Sequence, residues 1–524
     1  MKPFAYLALF ALITINGCSC KDDPDVLPDA SEPVEVPEEV LKDLRHVTLS
    51  PGEVTLRTEG APATQTWAAI GHYRDDSTRD VTEWVTFSLD DPRLGSFSGA
   101  AFTSTVDIGG TTKVRAILDT YSAEATLNLV FSRSVEDDGP GSDTLPSNPG
   151  DFFTGAPSEA HAPLLVYPND GVLVPPNLRD LEFHFRRGHP DNTLFELRFQ
   201  SALTDIRVQL RCHLPADVEP PSGVNDGCIY LPSATVWHWL AETNRGGDPI
   251  QVTLRATDDS GAGPVGTSAP LQVNIARSEL KGAMYYWRAH ESHEGTGIMR
   301  YDFAAPEGTM AELAVGPVQP GNVCVGCHAL SRDGKKMVAS AGGSGPARVL
   351  LWDVSEEEPK VPFDSTPKSA FHAWSPDGSR YVGVHTYQST GDPRLLMFDG
   401  ETGQLIGSET IDVGGSLTQP PTHPDWSSDG QTIAYVHAGQ VGAGNSQNVQ
   451  NIWHGSIRMV QRDGAGWTSP TVIVPRAEGR NRYYPAISPD SSFLAYNESV
   501  CPAGTTMHGA CDSDTDPTAT LWTA

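Results

Sequence analysis

The sequence predicts an all-β protein, with two β-sandwich domains followed by an array of repeated short strands. Three observations predict it. Apolar and polar residues alternate over short runs, as in Leu181-Glu182-Phe183-His184-Phe185 and Phe195-Glu196-Leu197-Arg198-Phe199, the period of a strand with one buried face. The 524 residues include 50 Gly and 42 Pro, and many of these punctuate the runs as turns. From residue 280 onward one turn motif recurs as Ser331-Arg332-Asp333-Gly334, Ser375-Pro376-Asp377-Gly378, Ser427-Ser428-Asp429-Gly430 and Ser488-Pro489-Asp490-Ser491. A motif returning along the chain marks stacked units of supersecondary structure.

Residues 1–20 read as an export signal. Lys2 supplies the positive start, and Phe4 to Ile15 form an apolar run too short to span a bilayer. The run ends Ile15-Asn16-Gly17-Cys18, which resembles the lipobox of bacterial lipoproteins. That resemblance implies acylation of Cys18 as a lipid anchor, with several acyl chains making the attachment stable. Ser19 in place of Asp implies the outer membrane rather than the inner. An ordinary secretory signal with an incidental cysteine is the alternative. Residues 21–45 alternate acids (Asp22, Asp23, Asp25, Glu35, Glu38) with Pro24, Pro28, Pro33 and Pro37. Such a segment buries no core and reads as an extended tether.

Residues 46–131 carry the short strands Val47-Thr48-Leu49, Trp67-Ala68-Ala69-Ile70 and Val114-Arg115-Ala116-Ile117. The phrases Tyr73–Thr82, Val85-Thr86-Phe87-Ser88 and Gly109-Gly110-Thr111-Thr112 stand between them. In order, they resemble a group 2 bacterial Ig-like (BIG2) domain. The resemblance implies a non-catalytic spacer or adhesion module with Trp67 and Phe87 in its core. Asp75, Asp76 and Asp80 read as turn caps, with a calcium site as the alternative. Residues 132–160, with Gly139-Pro140-Gly141-Ser142 and Ser147-Asn148-Pro149-Gly150, are expected to be a linker. Residues 161–278 predict a second sandwich that resembles a fibronectin type III-like domain, closed by Leu271-Gln272-Val273-Asn274-Ile275. Cys212 and Cys228 are expected to pair, as are Cys501 and Cys511, since exported chains form disulfides. Cys20 has no evident partner.

In the repeat region each turn motif leads into a strand: Lys336–Ala339, Arg380–Val384, Thr432–Val436 and Phe493–Tyr496. A further strand follows each, ending in Val349–Asp353, Leu395–Asp399, Ile457–Val460 and Thr520–Trp522. Tyr285-Tyr286-Trp287 and Ile298–Asp302 supply an earlier, degenerate copy. Residues 280–524 therefore resemble the TolB-like (PD40, WD40-like) β-propeller family, with about five blades. A closed propeller takes four to eight, so an incomplete ring, an irregular one or a truncated sequence is expected.

Chemistry concentrates in Cys324-Val325-Gly326-Cys327-His328. Two thiols three apart with an imidazole next to the second form the spacing that attaches a c-type haem. Cys324 and Cys327 are then the attachment points, and His328 the proximal axial ligand. Two other chemistries fit the same residues: a Cys324–Cys327 disulfide, and a zinc site completed by a fourth ligand. The repeat aligns His328 with His372, and His423 falls close to the same place. His372 and Met337 are the candidates for a sixth iron ligand. TolB-like blades do not carry CxxCH, so the motif is an addition that no family function covers.

The formal net charge of −30 argues against nucleic acid and against anionic membrane surfaces. No P-loop, GxSxG or HExxH motif is present, and no nucleophile–base pair points to an enzyme. Two functions remain. One is an outer-membrane lipoprotein that uses covalent haem c for electron transfer or for redox or gas sensing, with a protein redox partner. The other is a non-catalytic surface binding or adhesion protein whose propeller face takes a protein or glycan, with CVGCH as a structural disulfide.

Overall fold

The computed structural model describes residues 35–524 except 138–143, 179–180, 215–225, 290–292, 306–308, 318–323, 342–347, 356–360, 364–368, 386–390, 442–450, 506–509, 514–515 and 517. The signal, Cys18, Cys20 and most of the tether lie outside these residues. The chain divides into two compact units, Met1–Leu280 and Lys281–Ala524.

The first unit is built on the strand Tyr121–Asp137. Its first half alternates buried and exposed residues and pairs antiparallel with Gly110–Leu118. It also pairs parallel with Glu53–Thr58 over Thr126–Phe131 and with Thr204–Leu210 over Phe131–Asp137. One ten-stranded sheet therefore runs through both sandwiches. This corrects the expected linker: residues 132–137 are strand. Ser132–Asp137 lacks a strong apolar alternation, and pairing with the second sandwich extends it.

The first sandwich closes its core over this sheet with Trp67 and Phe87, which are 1% and 8% exposed, and with Phe102 and Leu127. Asp75 and Asp80 accept hydrogen bonds from Ser77 and Thr82, and Asp76 pairs with Arg45. All three acids thus serve turns and a surface ion pair. The second sandwich packs Phe183, Phe185, Phe195, Phe199 and Val208. It also holds a helix, Ala234–Asn244, that the strand reading did not anticipate. Ser233 caps it by accepting from Val236 N, while Val236, Trp237, Leu240 and Ala241 are buried. That spacing lays one apolar stripe on the core.

The second unit holds five antiparallel sheets of three or more strands among the described residues, laid down in chain order like propeller blades, and a two-stranded ribbon, Gln440–Val441 with Ile452–Trp453. Their first strands are Ala283–Arg288, Val325–Leu330, Ala370–Trp374, Pro421–Trp426 and Arg480–Ile487. From the second blade onward, successive first strands lie side by side, forming the inner edge of the array. The Ser-x-Asp-Gly motif is the turn between the first and second strands. In blade three the Ser375 hydroxyl donates to Asp377 (2.6 Å) and accepts from Arg380 N (3.0 Å). The residue closing the turn has positive φ: Gly334, Gly378, Gly430 and Ser491 at 71°, 66°, 74° and 60°. Glycine adopts that conformation without steric cost.

Candidate functional site: the inner strands of the propeller unit

Each of the last four inner strands carries a β-bulge. Gly326–Ala329, Ala370–Ala373, Thr422–Asp425 and Tyr483–Ala486 each set three residue steps against two on the neighbouring strand. The bulged residue has left-handed φ in every case: Cys327 47°, Phe371 46°, His423 45° and Tyr484 50°. All four lie four residues before the serine of the turn motif. None is glycine, so this strained backbone is held by its surroundings.

This register fixes the positions of the histidines. His328 and His372 do share one position, three residues before the serine. His423 sits one residue earlier and is the counterpart of Cys327. Proline (Pro424, Pro485) takes the place of His328 and His372 in the last two blades.

His328 and His372 make parallel contacts. Each reaches the inner strand of the preceding blade. His328 Nε2 lies 3.4 Å from the Tyr285 carbonyl, and His372 Nδ1 lies 3.2 Å from the Cys327 carbonyl. Burial lowers the pKa of both, that of His372 to about 4, because a charged ring is disfavoured away from water. His372 is fully committed. A carbonyl only accepts, so Nδ1 carries the proton, and Nε2 then accepts from the Ser369 hydroxyl at 2.9 Å. Both ring nitrogens of His372 are thus engaged by the protein itself. Met337 is 1% exposed and packs in an apolar cluster with Ile298, Val325 and Trp352.

The disulfides are Cys212–Cys228 and Cys501–Cys511. Cys324 and Cys327 are joined neither to each other nor to another cysteine, which corrects the reading of CVGCH as a structural disulfide. Among the described residues no three His, Cys, Asp or Glu side chains form a group able to hold a metal ion, so no fourth ligand completes a zinc site there. What the motif presents is two thiols outside any disulfide and a neutral imidazole with one long contact. That donor set fits covalent haem attachment, which consumes two thiols and needs an unprotonated histidine. Trp287 Nε1 donates to the Val325 carbonyl at 3.0 Å and stands over Gly326. An open groove of about 930 Å³ lies between the first two blades, lined by Tyr285, Arg300, Leu330, Arg332 and Trp352 and by none of Cys324–His328.

The residues that sequence reasoning missed are Phe371 and Tyr484. Their rings contact His423 at centroid distances of 4.5 Å and 3.9 Å, and each other at 6.2 Å. Three successive blades thus point their bulged residues at one place. The signal was the constant count back from the turn serine.

No protein-family model matches the chain, and no curated protein sequence does. Among solved structures, TolB from Acinetobacter baumannii aligns with a TM-score of 0.29 at 17% identity, over 47% of this chain and 54% of that one. A putative TolB from Agrobacterium tumefaciens aligns at 0.30 and 16% identity, over 50% and 82%. Hydrazine synthase from Kuenenia stuttgartiensis aligns at 0.27 and 15%, over 48% and 70%. The chain thus spans about half the length of the first of these. Scores of this size carry no argument, and the assignment of an all-β chain with propeller-like blades stands on the sheet order and the bulged inner strands themselves.

Proposed function

We propose that this chain is an envelope lipoprotein that carries one covalent c-type haem on the second blade of its propeller unit. It serves electron transfer, or redox or gas sensing, in contact with a protein redox partner. One observation carries the reading. All the other described cysteines are in disulfides, while the two of the CxxCH motif are not. In an oxidising compartment a thiol pair kept apart from disulfide chemistry is available for another bond. Cys324 and Cys327 would hold the haem and His328 would lie under the iron. When bound, the group supplies one-electron transfer at its exposed edge. The chain's own residues position it. The Cys327 carbonyl is fixed by His372, and the Val325 carbonyl by Trp287. The first unit, with its continuous sheet, then acts as a spacer of BIG2-like and fibronectin-like type, and acylated Cys18 as the outer-membrane anchor.

The test is a pyridine haemochrome spectrum with in-gel haem staining. The full chain would be matured alongside a cytochrome c maturation system, beside a Cys324→Ala/Cys327→Ala control. A c-type band that vanishes in the control is the expected result.

A second reading is a non-catalytic binding protein whose propeller face takes a protein or glycan. It is favoured by the matching roles of His328, half-buried, and His372, buried, whose imidazoles both reach the preceding blade. Fully matured protein without haem would select it and sink the first reading.

A further inference from the structure

We infer that Arg458 and Arg476 form an anion-binding site on blade four, one that takes a small oxyanion of the carboxylate or phosphate class. The inference stands apart from the haem reading. Its geometry starts from the repeat. The eighth residue after the turn serine pairs with a residue of the third strand: Ala339 with Leu350, Gly383 with Leu396 and Tyr435 with Arg458. Leu350 and Leu396 are 2% and 0% exposed. Blade four therefore sets an arginine where the two blades before it bury a leucine. Tyr435 is 0% exposed and packs with Val384 and Leu395 of blade three, so this face of blade four is the one turned toward that blade. His437, two residues on, shares the face and is also buried.

The positive charge gathered on this face has no acid beside it. Arg458 Nε and the Tyr435 hydroxyl are buried and have no hydrogen-bond partner among the described residues. Arg476 Nη2 donates to two neutral acceptors, His437 Nδ1 at 2.8 Å and the Ala438 carbonyl. Burial first, and then the charges of Arg458 and Arg476, lower the pKa of His437; burial and then Arg458 lower that of Arg476. The two guanidiniums thus act on one ring and on each other, and neither has a carboxylate at ion-pair distance among the described residues. In a chain with 66 Asp and Glu against 36 Lys and Arg, an acid would be the ordinary neighbour. Blade five shows that arrangement. Glu498, the counterpart of His437 ten residues after the turn serine, pairs with Arg482 at 2.7 Å and with Arg480 at 3.5 Å. In blade four an imidazole stands in the carboxylate's place. Like charges held together and buried donors left unpaired both point to an anion as their partner. A planar guanidinium presents a fork of N–H groups that matches two oxygens of a carboxylate or a phosphate, and the Tyr435 hydroxyl adds a donor.

The experiment follows thermal unfolding of the full chain as inorganic phosphate or acetate replaces chloride at constant ionic strength. At least one of the two is expected to raise the midpoint saturably, as a ligand of the native state does, and which one does so names the class. Arg458→Leu, which restores the residue of blades two and three, and Arg476→Gln should each weaken the apparent binding by roughly tenfold or more. Near-UV circular dichroism would verify that both variants fold. Arg394→Gln, whose guanidinium pairs with Asp392 in blade three, should respond as wild type does. No saturable rise with either anion, or a rise of equal size in both site variants, as the general effect of excluded salts gives, would overturn the inference.

Discussion

The imidazole of His372, in the third blade, closes on the backbone of Cys327, in the second, with Nδ1 3.2 Å from the carbonyl oxygen and Nε2 2.9 Å from Ser369 Oγ. The bond fixes one tautomer and the neutral state. Replacing His372 with Phe removes its bond to the Cys327 carbonyl and the ring partner of the buried Ser369 hydroxyl. A loss of about 1–3 kcal/mol in urea unfolding of the propeller unit is expected. Gln, which can donate and accept, should recover part of it.

The same burial makes the propeller unit acid-sensitive. His372 and His437 have pKa values lowered to about 4, and His423 to about 3, mainly through burial. Unfolded histidine binds its proton near 6.5, so between pH 6.5 and about 4 the unfolded state holds more protons. Stability is then full above pH 6.5 and falls as the pH is lowered through that window, by at most about 1.4 kcal/mol per pH unit for each histidine. Urea midpoints measured from pH 7.5 to 4 should fall, and the slope should flatten in His437→Gln. A pH-independent midpoint would contradict the burial of these rings.

The turn serines should be interchangeable in energy. Ser375 and Ser427 each donate to the acid two residues on and accept from a backbone N–H five residues on. Alanine at either position is expected to cost about 1–2 kcal/mol, and the two losses should match within error. A cost confined to one blade would show that the motif is not one repeated device.

The first unit should melt as one body although it holds two sandwiches. Phe131 is fully buried in the core of the second sandwich, yet it lies on the strand that pairs with the first. Calorimetry of the chain should therefore give one transition for this unit. Phe131→Ala should lower it by about 3–5 kcal/mol. Two separate transitions for this unit would refute the continuity of the sheet.

Cys212 and Cys228 close a loop with a sequence separation of 16. Opening it by Cys228→Ser is expected to lower the stability of the first unit by about 3 kcal/mol, the loop-entropy value for that length. Differential scanning of oxidised and reduced protein checks this, with Cys212→Ser as the matched control.

What was legible in the sequence was local. Ser375, Asp377 and Gly378 form their turn from their own hydrogen bonds and backbone freedom, so the motif announced itself wherever it stood. The strands after it followed from their alternation. The bulges were not legible, because Cys327, Phe371, His423 and Tyr484 share no side-chain chemistry and none is glycine. Only their distance from the serine betrays them, and a histidine one place off is easily aligned with the wrong partner. The strand through Ser132–Asp137 was hidden for a different reason. Its pairing partner is more than sixty residues away, and its own residues carry little apolar signal. The helix at Ala234–Asn244 was overlooked among strands, though Val236, Trp237, Leu240 and Ala241 spell its period.

The bulged position also separates what the blade must be from what it is free to become. Its backbone geometry is imposed by the pairing of two strands, so a thiol, a phenyl ring, an imidazole and a phenol all sit there with φ within 5° of one another. New chemistry can thus be introduced at the centre of the array one blade at a time, by a single codon, without renegotiating the strands that hold it. The cysteine of the second blade and the histidine of the fourth are two such insertions in one scaffold.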